Sequence, residues 1–197
     1  MFDNKIRIAA MGGVAALGLT LSDASMAAFT EADATELKTE AIATLQKFQT
    51  ETKGEEAIFA DAKGVLVCPK IRKIGAGVGV EGGKCVLTSG TDDPLYYRSR
   101  GIKAGAILGV QSHSMILVMK TDEAMANFTS GKREWEFGVD ASVSVAKLAV
   151  GGDIDTTNLK GSIISFIFGE KGLMADLSWE GSNFKKLDVE TSDEEKN

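Results

Sequence analysis

Two cysteines, one histidine and a run of alternating glycines are the residues of this 197-residue chain whose chemistry could go beyond packing. His113 stands alone within Ser112-His113-Ser114. A single histidine with two strand-borne cysteines cannot build a zinc-type cluster. Serine, histidine and aspartate are all available for a nucleophilic triad, yet no Gly-x-Ser-x-Gly elbow frames a serine. His113 therefore reads as a structural or surface residue. Asp153-Ile154-Asp155-Thr156-Thr157-Asn158 lacks the ligand spacing, central glycine and terminal glutamate of a calcium loop and reads as a polar turn. Gly77-Val78-Gly79-Val80-Glu81-Gly82 matches G-x-G-x-x-G in form, but nucleotide binding needs a helix to begin there. The residues that follow, Lys84-Cys85-Val86-Leu87-Thr88, read as a strand. Trp135, Trp179, Tyr96 and Tyr97 read as packing aromatics. No enzyme activity, metal or cofactor is expected from these patterns.

The glycines carry a different message. Gly75, Gly77 and Gly79 alternate with Ile74, Ala76, Val78 and Val80. Side chains alternate across a strand, so one face is bare backbone and the other a small apolar row. Glycine weakens a strand, and three at alternate positions imply that another backbone, a ring or a ligand comes close to that face. The glycine face is thus a candidate docking surface.

Charge points to a partner class. The chain carries 22 Lys and Arg against 28 Asp and Glu, a formal net charge of −6, which opposes nonspecific nucleic-acid binding. The middle of the chain runs the other way. From Asp61 to Lys103, Lys63, Lys70, Arg72, Lys73, Lys84, Arg98, Arg100 and Lys103 outnumber Asp61, Glu81, Asp92 and Asp93, a local balance of +4. A basic stretch inside an acidic protein suits an anionic partner such as phosphate head groups, although a solvated face with counter-charges elsewhere has the same composition.

The N-terminus reads as a processing signal. Lys5 and Arg7 precede an apolar run from Ile8 to Leu21 that is diluted by Gly12, Gly13 and Gly18 and is short for a membrane span. Ser25-Met26-Ala27 supplies the small residues a signal peptidase reads, so residues 1–27 are expected to be removed before Ala28. The product would be exported, periplasmic, with about 170 residues, enough for one domain. Removing Asp3, Lys5, Arg7 and Asp23 leaves the net charge at −6. In an oxidising compartment two nearby cysteines tend to pair. Cys68 ends one expected strand and Cys85 begins another, so a bridge between them is open but not fixed by the sequence.

The elements that must hold these groups follow from periodicity. Thr30-Glu31-Ala32-Asp33 resembles a capping box, and Leu37, Ala41, Leu45 and Phe48 recur at helical spacing behind it. Seven acids between Glu31 and Glu56 face only Lys38, Lys47 and Lys53, so this helix suits packing on a core better than lying on a membrane. Gly54 interrupts it, and a second short helix is expected over 55–63. The period then falls to two. Strands are expected over 65–68, 74–81, 84–89, 95–98, 103–112, 114–120, 136–150, 162–168 and 173–179, with a short helix capped by Thr121 and ending near Gly131. Turns are expected at 81–83, 91–94, 151–153 and 169–172. The pattern predicts an α+β, mostly β domain over 28–188, an antiparallel sandwich or barrel with one N-terminal amphipathic helix and one short internal helix. An acidic, disordered tail over 189–197 is expected to follow.

Several segments together are similar to one family. Ala62-Lys63-Gly64-Val65-Leu66-Val67, the glycine stripe through Gly83, Tyr96-Tyr97-Arg98, Gly109-Val110-Gln111-Ser112, Val139-Asp140-Ala141-Ser142-Val143 and Phe168-Gly169-Glu170-Lys171-Gly172-Leu173-Met174-Ala175-Asp176-Leu177-Ser178 resemble the SYLF domain, from about Leu37 to Asp188. The resemblance implies a noncatalytic lipid-binding module. Eukaryotic SYLF proteins bind phosphoinositides and some bind actin, whereas bacterial relatives look like exported lipid-binding proteins. An exported chain would not meet actin, so lipid association alone carries over. Some relatives insert an N-terminal amphipathic segment into membranes, a pattern from which the acidic helix here departs. The family tends to have a bulky apolar residue at Cys68 and a small one at Cys85, so cysteine at both positions favours a disulfide. The expected function is binding of an anionic phospholipid or membrane surface, with Lys70, Arg72, Lys73, Lys84, Arg98, Arg100 and Lys103 as head-group contacts. The alternative is a structural or protein-interaction module of the cell envelope that uses the face of Gly75, Gly77 and Gly79.

Overall fold

The computed structural model describes residues 28–90, 92–130, 135–136, 143–147, 159, 161–175 and 182–191. The expected signal peptide, the calcium-loop look-alike at 153–158 and the last six residues lie outside them. Helix α1 (Glu31–Glu51) opens on the expected capping box: the Thr30 side chain accepts from the Asp33 backbone N–H, and the Asp33 carboxylate accepts from the Thr30 backbone N–H. Its buried stripe is Ala34, Leu37, Ala41 and Phe48. The turn after it contains Gly54 at φ 85°, a conformation that favours glycine, and α2 (Glu56–Ala60) follows.

The rest is one mixed, open sheet built on a long hairpin. Strand β1 (Gly64–Thr88) pairs antiparallel with β2 (Leu95–Met119) along its whole length. The other edge of β2 is shared: β6 (Ser182–Leu187) pairs with its first part and β5 (Ile163–Ala175) with its last. Short β3 (Trp135–Glu136) extends the sheet beyond β6, and β4 (Val143–Lys147) runs parallel to β5. The mostly-β α+β class stands as expected. The sheet is neither wholly antiparallel nor closed into a barrel. Helix α3 (Asp122–Thr129) connects β2 to β3, its Ala124 backbone N–H donating to the Thr121 side chain.

Two expected turns are strand. Gly82 and Gly83 remain in the ladder opposite Arg100 and Ser99, and β5 runs through Gly169–Gly172. The glycines there answer other needs. Between Phe168 and Lys171, β5 carries one more residue than β2 does between Ser114 and Ser112, a bulge with Gly169 at φ 66°. At the same level, β1 carries one extra residue between Cys68 and Ile71, and the Ser114 hydroxyl donates to the Pro69 carbonyl at 2.8 Å. Bulges on both neighbours of β2 at one level bend the sheet there.

Two apolar layers cover the sheet. One packs Leu66, Cys68, Cys85, Leu87, Tyr97, Met115, Leu117 and Phe184 with Phe128 of α3. The other packs Val67, Val86, Ile116, Val118, Ile164 and Phe166 under Leu37, Ala41 and Phe48 of α1. Phe48 meets Phe166 and Phe168 at ring distances of 5.1 and 4.9 Å. Past Asp188 the described residues end at 191, where the Glu190 N–H donates to the Phe29 carbonyl and Val189 packs beside that layer.

Candidate functional site

Strand β1 cannot be straight. Eight residues of extended chain span roughly 26 Å, yet Lys73 Nζ lies 3.7 Å from Glu81 Oε2. Cys68 and Cys85, seventeen positions apart, have Cα atoms 4.1 Å apart and form a disulfide. The ribbon of β1 and β2 therefore runs outward from the sheet, reverses and returns, making an arm whose two legs lie side by side at the base. Reversal falls at Gly77, which has φ 76° and open space around it. Two extra residues of β2 sit opposite, since Ala76 pairs with Leu108 and Val78 with Ala104. At the base the legs touch: a Cβ on Gly83 would lie 2.5 Å from the Lys70 carbonyl oxygen. That close approach explains Gly83, while a Cβ on Gly82 would meet the Ser99 carbonyl oxygen at 3.3 Å.

Alternation then sorts the arm's side chains into two faces. The inner face holds the Lys73–Glu81 ion pair, whose side chains are both over nine-tenths buried. The Ser182 hydroxyl of β6 donates to the Glu81 carboxylate. The Glu81 side chain lies over Gly101, where a Cβ would come within 2.8 Å of it. Gly79 is buried on this side, and of the three stripe glycines only Gly77 is exposed. The outer face is the apolar row, and it is open to solvent. Ile74 pairs with Val110, Ala76 with Leu108 and Val80 with Ile102. Ile102 and Leu108 are 76% and 73% exposed, and Ile74, Val78, Val80 and Val110 are each at least half exposed.

Basic residues ring the foot of this row. Arg72, Lys84, Arg98 and Arg100 line one groove of about 670 Å³ together with Ile74, Val80, Ile102, Glu81, Ser99 and Gly82, Gly83 and Gly101. Residues separated by the hairpin are brought together by register, Lys84 opposite Arg98 and Gly82 opposite Arg100. Lys84 also meets the start of α1. Its Nζ lies 3.3 Å from Asp33 Oδ1 and 4.8 Å from the Phe29 ring centroid. Hydrogen bonds from Thr30, backbone first, hold the Asp33 carboxyl below its ordinary range, with Lys84 adding to the effect. The sheet face that α1 covers thus continues into the arm without it.

Of the seven lysines and arginines expected at the site, four line the groove. Lys70 is exposed at the base of the arm, while its carbonyl faces Gly83. Lys73 is turned inward onto Glu81, away from the groove, because neighbours on a strand point to opposite faces. The backbone of Lys103 pairs with Gly79, and its side chain lies outside the described part of the structure. The exposed apolar residues of the groove are visible as a row in the sequence, but nothing local marks that face as the open one.

Other chemistry finds no foothold among the described residues. His113 is buried opposite Ile71. No group of three or more His, Cys, Asp or Glu side chains is arranged to hold a metal. Among the described residues no helix is long and apolar enough to cross a membrane. A second groove of about 680 Å³ at the far end of β2, between Lys63, Lys120, Thr121 and Ser162, pairs one acid, Asp61, with two lysines.

An open β-ribbon arm with a cationic, apolar-floored groove defines a binding domain. Residues 100–193 match the family model Ysc84, described as Las17-binding protein actin regulator. This match agrees with the resemblance to the SYLF domain family read from the sequence. The match begins in the returning leg of the arm and runs through β6, so of the four basic groove residues it takes in Arg100 alone. No curated protein matches the chain.

Proposed function

We propose that this is a noncatalytic protein that binds anionic phospholipid head groups through the groove at the foot of the arm. The observation that carries the reading is the convergence of Arg72, Lys84, Arg98 and Arg100 on one apolar-floored groove in a chain of net charge −6. Guanidinium and ammonium groups pair with phosphate oxygens, and arginine does so with two parallel hydrogen bonds. The family match supports a binding role and names an actin-regulator context. The N-terminal run and the disulfide support export to an oxidising compartment, the periplasm, where phospholipid is at hand and actin is not. N-terminal sequencing of the exported protein tests that part; retention of Met1 would sink it.

Flotation with phosphatidylcholine vesicles, with and without phosphatidylglycerol, tests the main reading. Binding should require the anionic lipid and weaken as salt shortens the Debye length from about 10 Å at 0.1 M to about 3 Å at 1 M. Each cation near such a surface contributes on the order of 1 kcal/mol. The pair Arg72→Ala and Arg100→Ala should therefore weaken binding roughly thirtyfold. Wild-type affinity in that variant would refute the groove.

A further inference from the structure

We propose that the outer apolar row of the arm enters the hydrocarbon edge of the bilayer while the basic groove holds the head groups, so that the arm is a membrane-inserting tip. Six of the exposed large apolar side chains, Ile74, Val78, Val80, Ile102, Leu108 and Val110, lie on this one ribbon. Cross-strand pairing packs them into a single patch rather than scattering them. Contiguous exposed apolar surface rimmed by polar groups marks a site that something covers.

The charge around the patch selects the occupant. Moving from the reversal at Gly77 toward the body, side chains on this face change from apolar to cationic: first Ile74, Val78, Val80 and Ile102, then Arg72, Arg100, Arg98 and Lys84. A membrane has that order of layers, hydrocarbon beneath anionic phosphate. A second copy of the chain docked through the same patch would bring two cationic collars together. The chain's own N-terminal apolar run would bring Lys5 and Arg7 to the same collar. Neither offers the anions that a bilayer does. The inner face suits the task mechanically, because the disulfide at the base and the buried Lys73–Glu81 pair tie the two legs together.

The inference rests on the head-group reading, and its test separates the two. Protein produced from the full chain is compared with a variant carrying Ile102→Asp and Leu108→Asp, both at highly exposed positions, with circular dichroism to verify that the variant is folded. Ile42→Asp, at an exposed site on α1, serves as the control. Binding to phosphatidylglycerol vesicles should fall roughly tenfold or more per arm substitution and stay unchanged in the control. Equal binding of wild type and the arm variant would overturn insertion while leaving head-group docking intact, whereas absence of wild-type binding would overturn both. An Ile102→Trp variant gives an independent readout. Its added fluorescence, above that of Trp135 and Trp179, should be quenched by acyl-chain-brominated lipid. Vesicle-bound protein whose introduced indole escapes quenching would overturn insertion. So would a shielded emission before any vesicle is added, the result expected if another copy or the chain's own segment covers the row.

Discussion

Removing the Cys68–Cys85 bridge should destabilise the whole domain, not only the arm. The bridge closes a loop with a sequence separation of 17. In the chain-entropy account, a loop of that length withholds about 3 kcal/mol of freedom from the unfolded chain. Both cysteines are fully buried in the layer that holds Leu66, Tyr97, Met115 and Phe184, so the closure acts inside the cooperative core. A domain of this size shifts its midpoint by about 2–4 °C per kcal/mol, so the loss corresponds to roughly 6–12 °C. Burial also shields the sulfurs from reductant, which makes the pair Cys68→Ala and Cys85→Ala a cleaner perturbation than added thiol. Thermal unfolding followed by circular dichroism is the assay, with limited trypsin digestion alongside it. The variant should melt lower and be cut sooner at Lys70 and Arg72, where the legs part. An unchanged midpoint would refute the reasoning, because the legs would then be held at the base without the bridge. An unchanged midpoint with faster cleavage would place the arm outside the cooperative unit, against the burial of both cysteines in the core.

Three further perturbations test the arm and its base. Lys73→Met leaves Glu81 buried without its cation and should cost about 3–5 kcal/mol in urea unfolding, whereas Lys73→Met with Glu81→Leu should recover most of that loss; equal losses in the two would show that the pair is not coupled. Gly83→Ala should cost about 1–3 kcal/mol, because its Cβ would sit 2.5 Å from the Lys70 carbonyl oxygen, while Gly77→Ala, strained only by φ 76°, should cost roughly 1 kcal/mol; the reverse order of midpoints in denaturant would contradict the close approach. Burial pushes the Tyr97 hydroxyl from 10.0 up to about 12. The unfolded chain therefore ionises first, stability is intact below pH 10, and up to about 2–3 kcal/mol is lost between pH 10 and 12. Tyr97→Phe should abolish that alkaline loss in chemical denaturation, and an unchanged pH profile would count against the shift.

Local signals are legible where they act locally. The Thr30–Asp33 box and the Thr121 cap satisfy backbone donors within one helical turn, so their residues alone announce them. Glycine is ambiguous, since it serves a turn, a bulge and a close approach equally well. At 81–83 and 169–172 the neighbouring strand decides, and that neighbour is far away in sequence. Strand β6 escapes periodicity because Lys185 and Lys186 break its alternation, although Phe184 is buried. For the site, the sequence displays the cations but not their grouping. Arg72 shares a groove with Arg100 only because the pairing of β1 with β2 and the reversal at Gly77 bring three strand segments to it. One distinction is open to periodicity alone: Arg72 and Lys73 are adjacent on a strand, so both cannot face the same surface.

The direction in which the protein meets a charged surface follows from the same geometry. A uniform charge of −6 would repel an anionic bilayer from every side, and at about 0.15 M salt such repulsion between exposed charges fades beyond roughly 8 Å. Within that range the nearest groups decide, and only a protruding element can bring its own charges close while the acidic body stays back. The acids of α1 lie along the body, and one at its N-terminal end, Asp33, is engaged by Lys84 at the foot of the arm. Neutralising Asp33 with Asn would remove a negative charge beside the groove and release Lys84 from its ion pair. Both changes favour anion binding, while a neutral amide accepts the Thr30 N–H more weakly than the carboxylate does and lowers the stability of the helix start. Asp33→Asn should thus bind phosphatidylglycerol vesicles more tightly than wild type despite a lower melting temperature. Weaker binding in that variant would mean that Lys84 contributes to the groove only when Asp33 holds it in place.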